Sequence, residues 1–287
     1  MDSFLRKFNR WTAGSFCAGT ESPCCVSGAF CAALNSVFGI DVEVNHVFTC
    51  EKNHTKREFI KLAHRGKFIV MLGDIAGFRG RNIKNLLTGG LVEVARLGVD
   101  IVWAGFPCQA ASTKNSKRWT ELNDNCIELA ALGTGMVFDA LVSFFADHMT
   151  KIVFLENVFG LRGRNLEACR LKLQKVGIIL IVFETDSDLF GAIQSRPRLW
   201  MIGIAAWYLF SFNTTRELHP AERVLLQQSM AQCPAVTIST VLEHFSKFLI
   251  ATTLINKCFQ CLGLEIRIIW VHRRDYETIG WMAAGEA

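Results

Sequence analysis

The sequence has 287 residues, of which 51% are hydrophobic and 20% charged, and its formal net charge is +5. This length can bury a sizeable core, and this composition excludes an intrinsically disordered chain. The longest apolar run, 199–212, is too short to span a membrane, and the first residues do not read as a secretory signal, so we expect an intracellular chain without a membrane partner.

The eleven cysteines of the sequence are expected to be separate thiols, because an intracellular chain keeps its cysteines reduced. Cys258-x-x-Cys261 lacks the second pair that a zinc site of this type needs. Cys24, Cys25 and Cys31 fall on one predicted helix face, where cysteines usually pack. We therefore predict no metal site.

Strands and helices alternate along the first two thirds of the chain. Apolar runs predict strands within 12–22 and at 44–50, 68–72, 100–104, 151–155, 178–183 and 199–203. Helical spacing and helix-end signals predict helices at about 23–38, 53–64, 82–98, 123–148 and 163–176. This alternation is typical of an α/β doubly wound sheet.

Two acidic residues follow predicted strands at their carboxyl ends. Glu51 follows the second strand, where two carboxylate oxygens suit the paired hydroxyls of a ribose. Asp74 follows the third strand and is placed to accept a hydrogen bond from an adenine amino group. On spacing alone, Glu51 is read equally well as an ordinary surface carboxylate.

Cys108 lies in the loop 105–109, which follows the predicted strand at 100–104. Ligands and reactive groups collect at the carboxyl edge of a parallel sheet, so Cys108 is a candidate nucleophile. The pentapeptide alone suits a packing cysteine equally well. The basic stretch at 112–119 is a candidate phosphate-binding loop, or else a plain solvated loop.

Charged groups also follow two later strands. Glu156-Asn157 follows the strand at 151–155, and Arg196 and Arg198 lie at i, i+2 on an extended segment, which places both on one side. Guanidinium groups in this position suit a phosphate or a ring carbonyl. Cys108, Glu156, Glu51 and Asp74 all fall at the carboxyl ends of predicted strands, so one crevice could hold these four residues.

Several motifs, in this order along the chain, resemble those of the cytosine carbon-5 methyltransferases. The three that carry the resemblance are Pro107-Cys108-Gln109, Glu156-Asn157-Val158 and Gln194-x-Arg196-x-Arg198. The blocks that agree with it are Phe16-x-Ala18-Gly19, Cys50-Glu51, Gly73-Asp74-Ile75 and Gly133-Thr134-Gly135. The resemblance implies a Rossmann-like S-adenosylmethionine-dependent methyltransferase fold, with a catalytic domain at 12–206 and a short, divergent target-recognition and C-terminal region at 207–287.

The resemblance also implies an activity, namely methyl transfer from S-adenosylmethionine to carbon 5 of cytosine in DNA. Cys108 would add to carbon 6 of a flipped-out base, which makes carbon 5 nucleophilic. Glu156 would protonate or hydrogen-bond ring nitrogen 3, while Arg198, supported by Arg196, would hold the base carbonyl or a neighbouring phosphate. Asn157 would support the cysteine loop. A eukaryotic DNA methyltransferase would be nuclear.

Two further groups of site residues follow from the resemblance. The residues implied to bind the cofactor are Phe16, Gly19, Glu51, Asp74 and Pro107. The residues implied to bind or support the substrate are Gln109, Ser112, Asn157 and Gln194. Backbone groups near Gly19 would take the methionine end of the cofactor, Glu51 its ribose and Asp74 its adenine amino group.

The chain also departs from the family pattern. Ser15 stands where an acidic residue is usual and Glu21 where a glycine is usual, so we expect Glu21 to crowd the cofactor turn. The region after Gly203 is short for a target-recognition domain, and a final Gly-Asn motif is not visible. Two alternatives stay open: the same chemistry on tRNA, or a catalytically inactive homologue that only binds nucleic acid or a partner.

Overall fold

A computed structural model describes residues 10–38, 42–187, 195–211, 267–270 and 279–280. Its strands are β1 (Arg10–Phe16), β2 (Glu43–Cys50), β3 (Val70–Leu72), β4 (Asn82–Lys84), β5 (Leu91–Glu93), β6 (Ile101–Ala104), β7 (Ile152–Val158), β8 (Ile178–Thr185), β9 (Arg198–Ala205), β10 (Arg267–Trp270) and β11 (Ile279–Gly280). Its α-helices are α1 (Ser22–Phe38), α2 (His54–Ala63), α3 (Glu121–Asp124), α4 (Leu132–Asp147), α5 (Arg164–Lys175) and α6 (Ala206–Ser211).

The main sheet confirms the predicted α/β fold. Its nine strands lie in the order β11-β10-β8-β9-β7-β6-β1-β2-β3, and β4 and β5 form a separate hairpin. β1 pairs in parallel with both β2 and β6, and β6 pairs in parallel with β7. β9 is antiparallel to both β7 and β8. The chain builds outward from β1 in one direction and then in the other, so the carboxyl ends of β1 and β6 flank the switch point where such sheets bind ligands.

An aromatic cluster supports the carboxyl end of β1. The rings of Phe16, Phe48, Phe78 and Phe144 lie with centroids between 4.9 and 5.9 Å apart, mostly edge to face. Phe16 and Phe48 are fully buried, and Phe144 belongs to α4. Such pairs add roughly 0.5–1.5 kcal/mol each beyond the burial of their area. The cluster therefore fixes α4 against the two central strands beneath the switch point.

Two helix predictions are wrong. Residues 82–98 form the β4–β5 hairpin and a short 3-10 helix, because Asn85 Oδ1 accepts from the Met71 and Leu87 N–H groups and so holds a turn. The predicted helix at 123–148 is interrupted, and α4 begins only after Ala130, whose φ of 49° lies in the left-handed region that a right-handed helix cannot contain.

The ends of other elements follow from local contacts. The side chain of Asn53 accepts from the Lys56 N–H at 3.1 Å and caps α2 close to its predicted start. Glu156 and Asn157 belong to β7 itself, since they pair with Trp200 and Leu199 of β9.

Some predictions lie outside the described residues, among them Gln194 and most of 207–287. Within that region, β10 pairs antiparallel with β8 and extends the sheet. None of the described helices is both long and apolar enough to cross a membrane.

Candidate active site

Cys108 is half-buried in the loop that follows β6, beside the switch point of the sheet. Its backbone carbonyl accepts from the N–H groups of Ala111 and Ser112 at 3.1 and 2.9 Å. Asn115 Nδ2 donates to the Gln109 carbonyl at 3.0 Å. These bonds fold the loop into a compact turn and give the thiol a defined place.

Asn157 fixes the same loop from the neighbouring strand β7. Its side chain is 1% exposed, and Nδ2 donates to the Phe106 carbonyl at 3.1 Å. Asn157 Oδ1 accepts from the Val158 N–H at 2.9 Å, so both ends of the amide are used. Phe106 is itself buried, and a buried carbonyl without a partner is costly. The contact ties the cysteine loop to the strand that carries Glu156.

Glu156 and Arg198 form an ion pair beside the root of this loop. Arg198 Nε lies 2.5 Å from Glu156 Oε1, and the two side chains are 21% and 29% exposed, respectively. Val158 is directly opposite Arg198 in the antiparallel register, so Arg198 is diagonal to Glu156 on the same face of the sheet. Glu156 Oε2 lies only 3.3 Å from where a Cβ on Gly105 would stand. The missing side chain at Gly105 therefore allows the carboxylate to approach the loop.

Arg196 is exposed and is held through its backbone. Its N–H donates to Asp186 Oδ1 at 2.5 Å, and the Ser195 hydroxyl donates to Asp186 Oδ2 at 2.6 Å. Asp186 thus fixes the chain just before β9, and of the two arginines only Arg198 is ion-paired with Glu156.

Glu51 joins the tip of β2 to the turn after β1. Its carboxylate is buried and accepts from the Gly19 N–H and the Asn53 N–H, each at 2.8 Å. Gly19 has a φ of 61°, a conformation that residues with a side chain rarely adopt. Each carboxylate oxygen keeps a second lone pair, which a ligand hydroxyl could use.

Asp74 lies at the tip of β3 and is ionised. Its Oδ2 lies 2.8 Å from Lys52 Nζ, and its Oδ1 accepts from the Ala76 N–H at 3.0 Å. The bond from Lys52 and then the bond from the Ala76 backbone lower the pKa of Asp74 below its ordinary value. Phe16, by contrast, has a fully buried side chain, so only its backbone could meet a ligand.

Glu21 lies beneath the turn rather than in the way of a ligand. Ser15 and Thr49 are cross-strand partners on β1 and β2, and both hydroxyls donate to Glu21 Oε2 at 2.5 Å. Glu21 is 0% exposed, and burial raises its pKa although the two hydroxyl bonds oppose that effect. The expectation that Glu21 crowds the cofactor turn is therefore not met, because its side chain points into the protein.

A cavity of about 490 Å³ opens beside the cysteine loop. Its walls include Pro107, Gln109, Lys52, Gly133, Thr134 and Val137. Thr134 is 1% exposed, and its Oγ1 has no hydrogen-bond partner among the described residues. Cavities of this size accommodate cofactors. The Thr134 hydroxyl is enclosed in the wall, so a ligand would bond to it only after a small shift of the wall.

Several other cysteines have the character of packing residues. Burial raises the pKa of Cys17 to about 12, and the nearby carboxylates of Glu51 and Asp74 add to the effect. Burial likewise raises the pKa of Cys126 and Cys169. These thiols stay protonated near neutral pH, and a protonated thiol is a poor nucleophile.

The family of this chain follows from a match between its sequence and the profile of a known protein family. The sequence profile of the C-5 cytosine-specific DNA methylase family matches residues 25–247. The chain belongs to this family. The family match confirms the resemblance that the sequence motifs indicate.

Two relatives that the chain resembles are named as methyltransferases. The "DNA (cytosine-5-)-methyltransferase DMT5" of Cryptococcus neoformans var. grubii is 27% identical over 145 residues, which are 50% of this chain and 6% of that protein. The "Type II methyltransferase M.DsaV" of Dactylococcopsis salina is 28% identical over 132 residues, which are 42% of this chain and 34% of that protein. The chain thus matches at most about a third of the length of either relative.

Among solved structures, the chain is similar to the Dnmt2 methyltransferase of S. pombe. The TM-score is 0.44 at 15% sequence identity, over 76% of this chain and 54% of that chain.

In this family member, the candidate residues form two groups. The first lies around the cysteine loop and contains Cys108, Glu156, Asn157 and Arg198, and Pro107 and Gln109 of that loop also line the cavity. The second lies at the tips of the strands and contains Gly19, Glu51 and Asp74.

The sequence motifs assign no role to Lys52 or Thr134, although both residues line the cavity. Thr134 lies within the Gly133-Thr134-Gly135 block, and its hydroxyl has no partner among the residues that the structure describes. Nothing in the sequence distinguishes Lys52 except its position next to Glu51.

Proposed function

We propose that this chain transfers a methyl group from S-adenosylmethionine to carbon 5 of cytosine in DNA, with Cys108 as the nucleophile. The observation that carries the proposal is the meeting of the Cys108 loop, the Glu156–Arg198 ion pair and the cavity at one edge of the sheet. The family description and the name of the Cryptococcus relative refer to DNA, which supports DNA as the substrate. Residues 12–206 contain these groups and are proposed as the catalytic domain.

Cys108 acts as a thiolate in this proposal. Its Sγ forms a bond to carbon 6 of cytosine, and the electron pair of the carbon 5–carbon 6 double bond moves onto carbon 5. Carbon 5 would then take the methyl group from S-adenosylmethionine, and the methyl–sulfur bond would break to leave a neutral thioether. Loss of the carbon 5 proton to a base and cleavage of the Sγ–carbon 6 bond restore the aromatic ring and the free thiolate.

Glu156 and Arg198 act on the charge that this addition creates. Glu156 hydrogen-bonds ring nitrogen 3 and so spreads the charge, while Arg198 keeps the carboxylate oriented through its ion pair and can bind the ring carbonyl. Asn157 acts on the cysteine loop rather than on the base, because its amide binds the Phe106 carbonyl.

The cofactor S-adenosylmethionine supplies a methyl group bonded to a positively charged sulfur. The cavity is large enough for a polar ligand of this kind, and its wall includes Thr134, whose enclosed hydroxyl has no partner among the described residues. Glu51, at the tip of β2, keeps lone pairs for ribose hydroxyls. Asp74 can accept from the adenine amino group, and Lys52 links it to the cavity wall.

The target base has to leave the duplex stack, because the half-buried Cys108 cannot reach a ring carbon inside a stacked helix. The stretch that follows supplies exposed basic residues at Lys114 and Lys117, which suit the phosphates beside the flipped base.

The test is to incubate the purified chain with methyl-labelled S-adenosylmethionine and, in parallel, duplex DNA or tRNA. The proposal expects 5-methylcytosine in the DNA and none with the Cys108→Ser variant. Label found only in tRNA would show that the substrate is tRNA rather than DNA. A chain that binds the cofactor yet labels neither substrate would overturn the activity and identify an inactive homologue.

A further inference from the structure

Three side chains with metal-binding atoms converge beneath the turn between β1 and α1, away from the residues around Cys108. Glu21, Cys24 and His46 each present one such atom, and these atoms all lie within 4.8 Å of one another. We propose that they form a zinc site. This differs from the sequence-based expectation that the chain has no metal site and that Cys24 only packs.

Two of the three residues carry buried atoms without a partner. Glu21 is 0% and His46 is 6% exposed. Glu21 Oε1 and His46 Nδ1 each lack a hydrogen-bond partner in the part of the chain that the structure describes. Leaving such atoms unpaired costs roughly 1–3 kcal/mol each. A bound cation would satisfy both atoms and balance the charge of a buried carboxylate.

The other polar atoms of these side chains are already oriented by neighbours. Ser27 Oγ lies 3.3 Å from the Cys24 carbonyl oxygen and 2.7 Å from His46 Nε2. A metal bound to Nδ1 would place the ring proton on Nε2, where it would donate to Ser27 Oγ. Glu21 Oε2 accepts from two hydroxyls, which leaves Oε1 free. Outer partners of this kind orient the ligands in known metal sites.

An irregularity in β2 brings His46 to this side of the sheet. Ala13 pairs with His46, but the next residue, Gly14, pairs with Phe48, so β2 contains an extra residue at this point. In a regular strand, His46 and Thr49 are three residues apart and would point to opposite faces. The bulge removes this alternation, and both side chains contact the segment that contains Glu21 and α1.

The types of ligand atom in this cluster indicate which metal ion it would bind. A thiolate, an imidazole and a carboxylate together suit Zn²⁺, whereas Mg²⁺ and Ca²⁺ prefer sites made of oxygen atoms. Zinc bonds of about 2.0–2.3 Å place neighbouring ligand atoms roughly 3.3–3.8 Å apart in a tetrahedral site. The three ligand atoms, which lie within 4.8 Å of one another, would therefore draw closer together on binding. Water can supply the fourth ligand.

Zinc at this place would stabilise the turn after β1. Glu21 lies two residues after Gly19, whose N–H binds Glu51, so a metal on Glu21 would hold one end of that turn to α1 and β2. The role is structural, and it does not depend on whether the chain methylates DNA.

The first test measures the zinc content of the full-length chain after expression with zinc and dialysis. We expect about one zinc ion per wild-type chain and a loss of most of it in Cys24→Ser and His46→Gln. Cys25→Ser is the matched control, because Cys25 is adjacent but exposed. A zinc-free wild type, or a Cys24→Ser variant that keeps wild-type zinc, overturns the proposal.

A second test avoids the chance that these variants fail to fold. It uses a Cys258→Ser/Cys261→Ser double variant, which removes the Cys-x-x-Cys pair and keeps the proposed ligands. We expect this protein to bind cobalt with a thiolate-to-cobalt absorption band, and Ser27→Ala to weaken the affinity roughly 10–100-fold. Absence of the band in the double variant overturns the proposal.

Discussion

Arg198 Nε contacts Glu156 Oε1 at 2.5 Å across the antiparallel β7–β9 pair, so the candidate catalytic carboxylate is held by an ion pair. The pair stands beside Gly105, at the root of the loop that carries Cys108. The guanidinium sets the orientation of the carboxylate before any base arrives. Orientation set in advance is what makes electrostatic stabilisation effective in an active site.

Replacing Glu156 by glutamine tests this arrangement. The amide keeps the size of the side chain but loses both the proton-exchanging group and the ion pair with Arg198. We expect the single-turnover rate of DNA methylation to fall by about 10²–10⁴-fold while cofactor affinity stays unchanged. The matched control is Glu167→Gln, which removes an exposed ion pair with Arg170 on α5 and should stay within about twofold of the wild type. A Glu156→Gln enzyme with a wild-type rate contradicts the assigned role.

Asn157→Ala tests the support of the cysteine loop. The change leaves the buried Phe106 carbonyl without its donor, so we expect a loss of about 1–3 kcal/mol in unfolding free energy together with slower methyl transfer. Asn85→Ala is the control, because Asn85 is nearly as buried, binds the Met71 and Leu87 N–H groups, and is absent from the cavity wall. It should lose comparable stability and keep the rate of the folded enzyme. Equal losses of methyl-transfer rate in both variants would show that Asn157 contributes to stability in general and does not specifically support the cysteine loop.

Thr134→Val separates ligand binding from stability. The Thr134 hydroxyl is buried and has no partner among the residues that the structure describes, so removing it should leave the melting temperature unchanged or raise it slightly. If the cofactor uses this hydroxyl, calorimetry should show affinity for S-adenosylmethionine about 3–10-fold weaker. Thr150→Val removes another buried, unpaired hydroxyl that is absent from the cavity wall, and it should leave the affinity unchanged. Unchanged affinity in Thr134→Val would remove the hydroxyl from the proposed cofactor site.

The lowered pKa of Asp100 predicts how the stability of the protein depends on pH. Burial alone would raise the pKa of Asp100, but bonds from the Lys151 ammonium and from Thr12 outweigh it and lower the pKa below its ordinary value. A carboxyl whose pKa is lower in the folded state stabilises the protein above its unfolded pKa of about 3.9 and loses that contribution as pH falls through the folded pKa.

The matching experiment is Asp100→Asn, followed by urea unfolding at several pH values. We expect unfolding free energy to fall by about 2 kcal/mol at pH 7, with the difference from wild type shrinking below about pH 4. Glu93→Gln, which breaks an exposed pair with Arg96, should change stability by less than about 0.5 kcal/mol. A difference that is constant with pH would contradict the ionic account of Asp100.

Local sequence signals predicted most strands of the sheet and the residues that follow their carboxyl ends. Apolar runs predict the central strands, and Glu51, Asp74 and Cys108 follow β2, β3 and β6 as expected. The predicted helix at 82–98 failed because Asn85 makes side-chain bonds to two backbone N–H groups that no periodicity reveals. The break before α4 depends on the left-handed conformation of Ala130, a residue type that rarely adopts it.

The contacts that could not be predicted from the sequence depend on the register in which neighbouring strands pair. The Glu156–Arg198 pair requires the antiparallel alignment of β7 with β9, which places side chains 42 positions apart on one face. His46 reaches Glu21 only because β2 contains an extra residue opposite Ala13 and Gly14. Strand alternation, the rule used on the sequence, gives the wrong face for His46 at such a bulge.

The most direct measurement of the central claim uses duplex DNA that carries 5-fluorocytosine. Fluorine replaces the proton that must leave carbon 5, so the bond between Cys108 Sγ and carbon 6 cannot be released after methyl transfer. We predict a covalent protein–DNA adduct by intact mass spectrometry, formed only when S-adenosylmethionine is present and absent in Cys108→Ala. An adduct that survives Cys108→Ala, or a wild type that methylates ordinary DNA yet forms no adduct, would contradict the account.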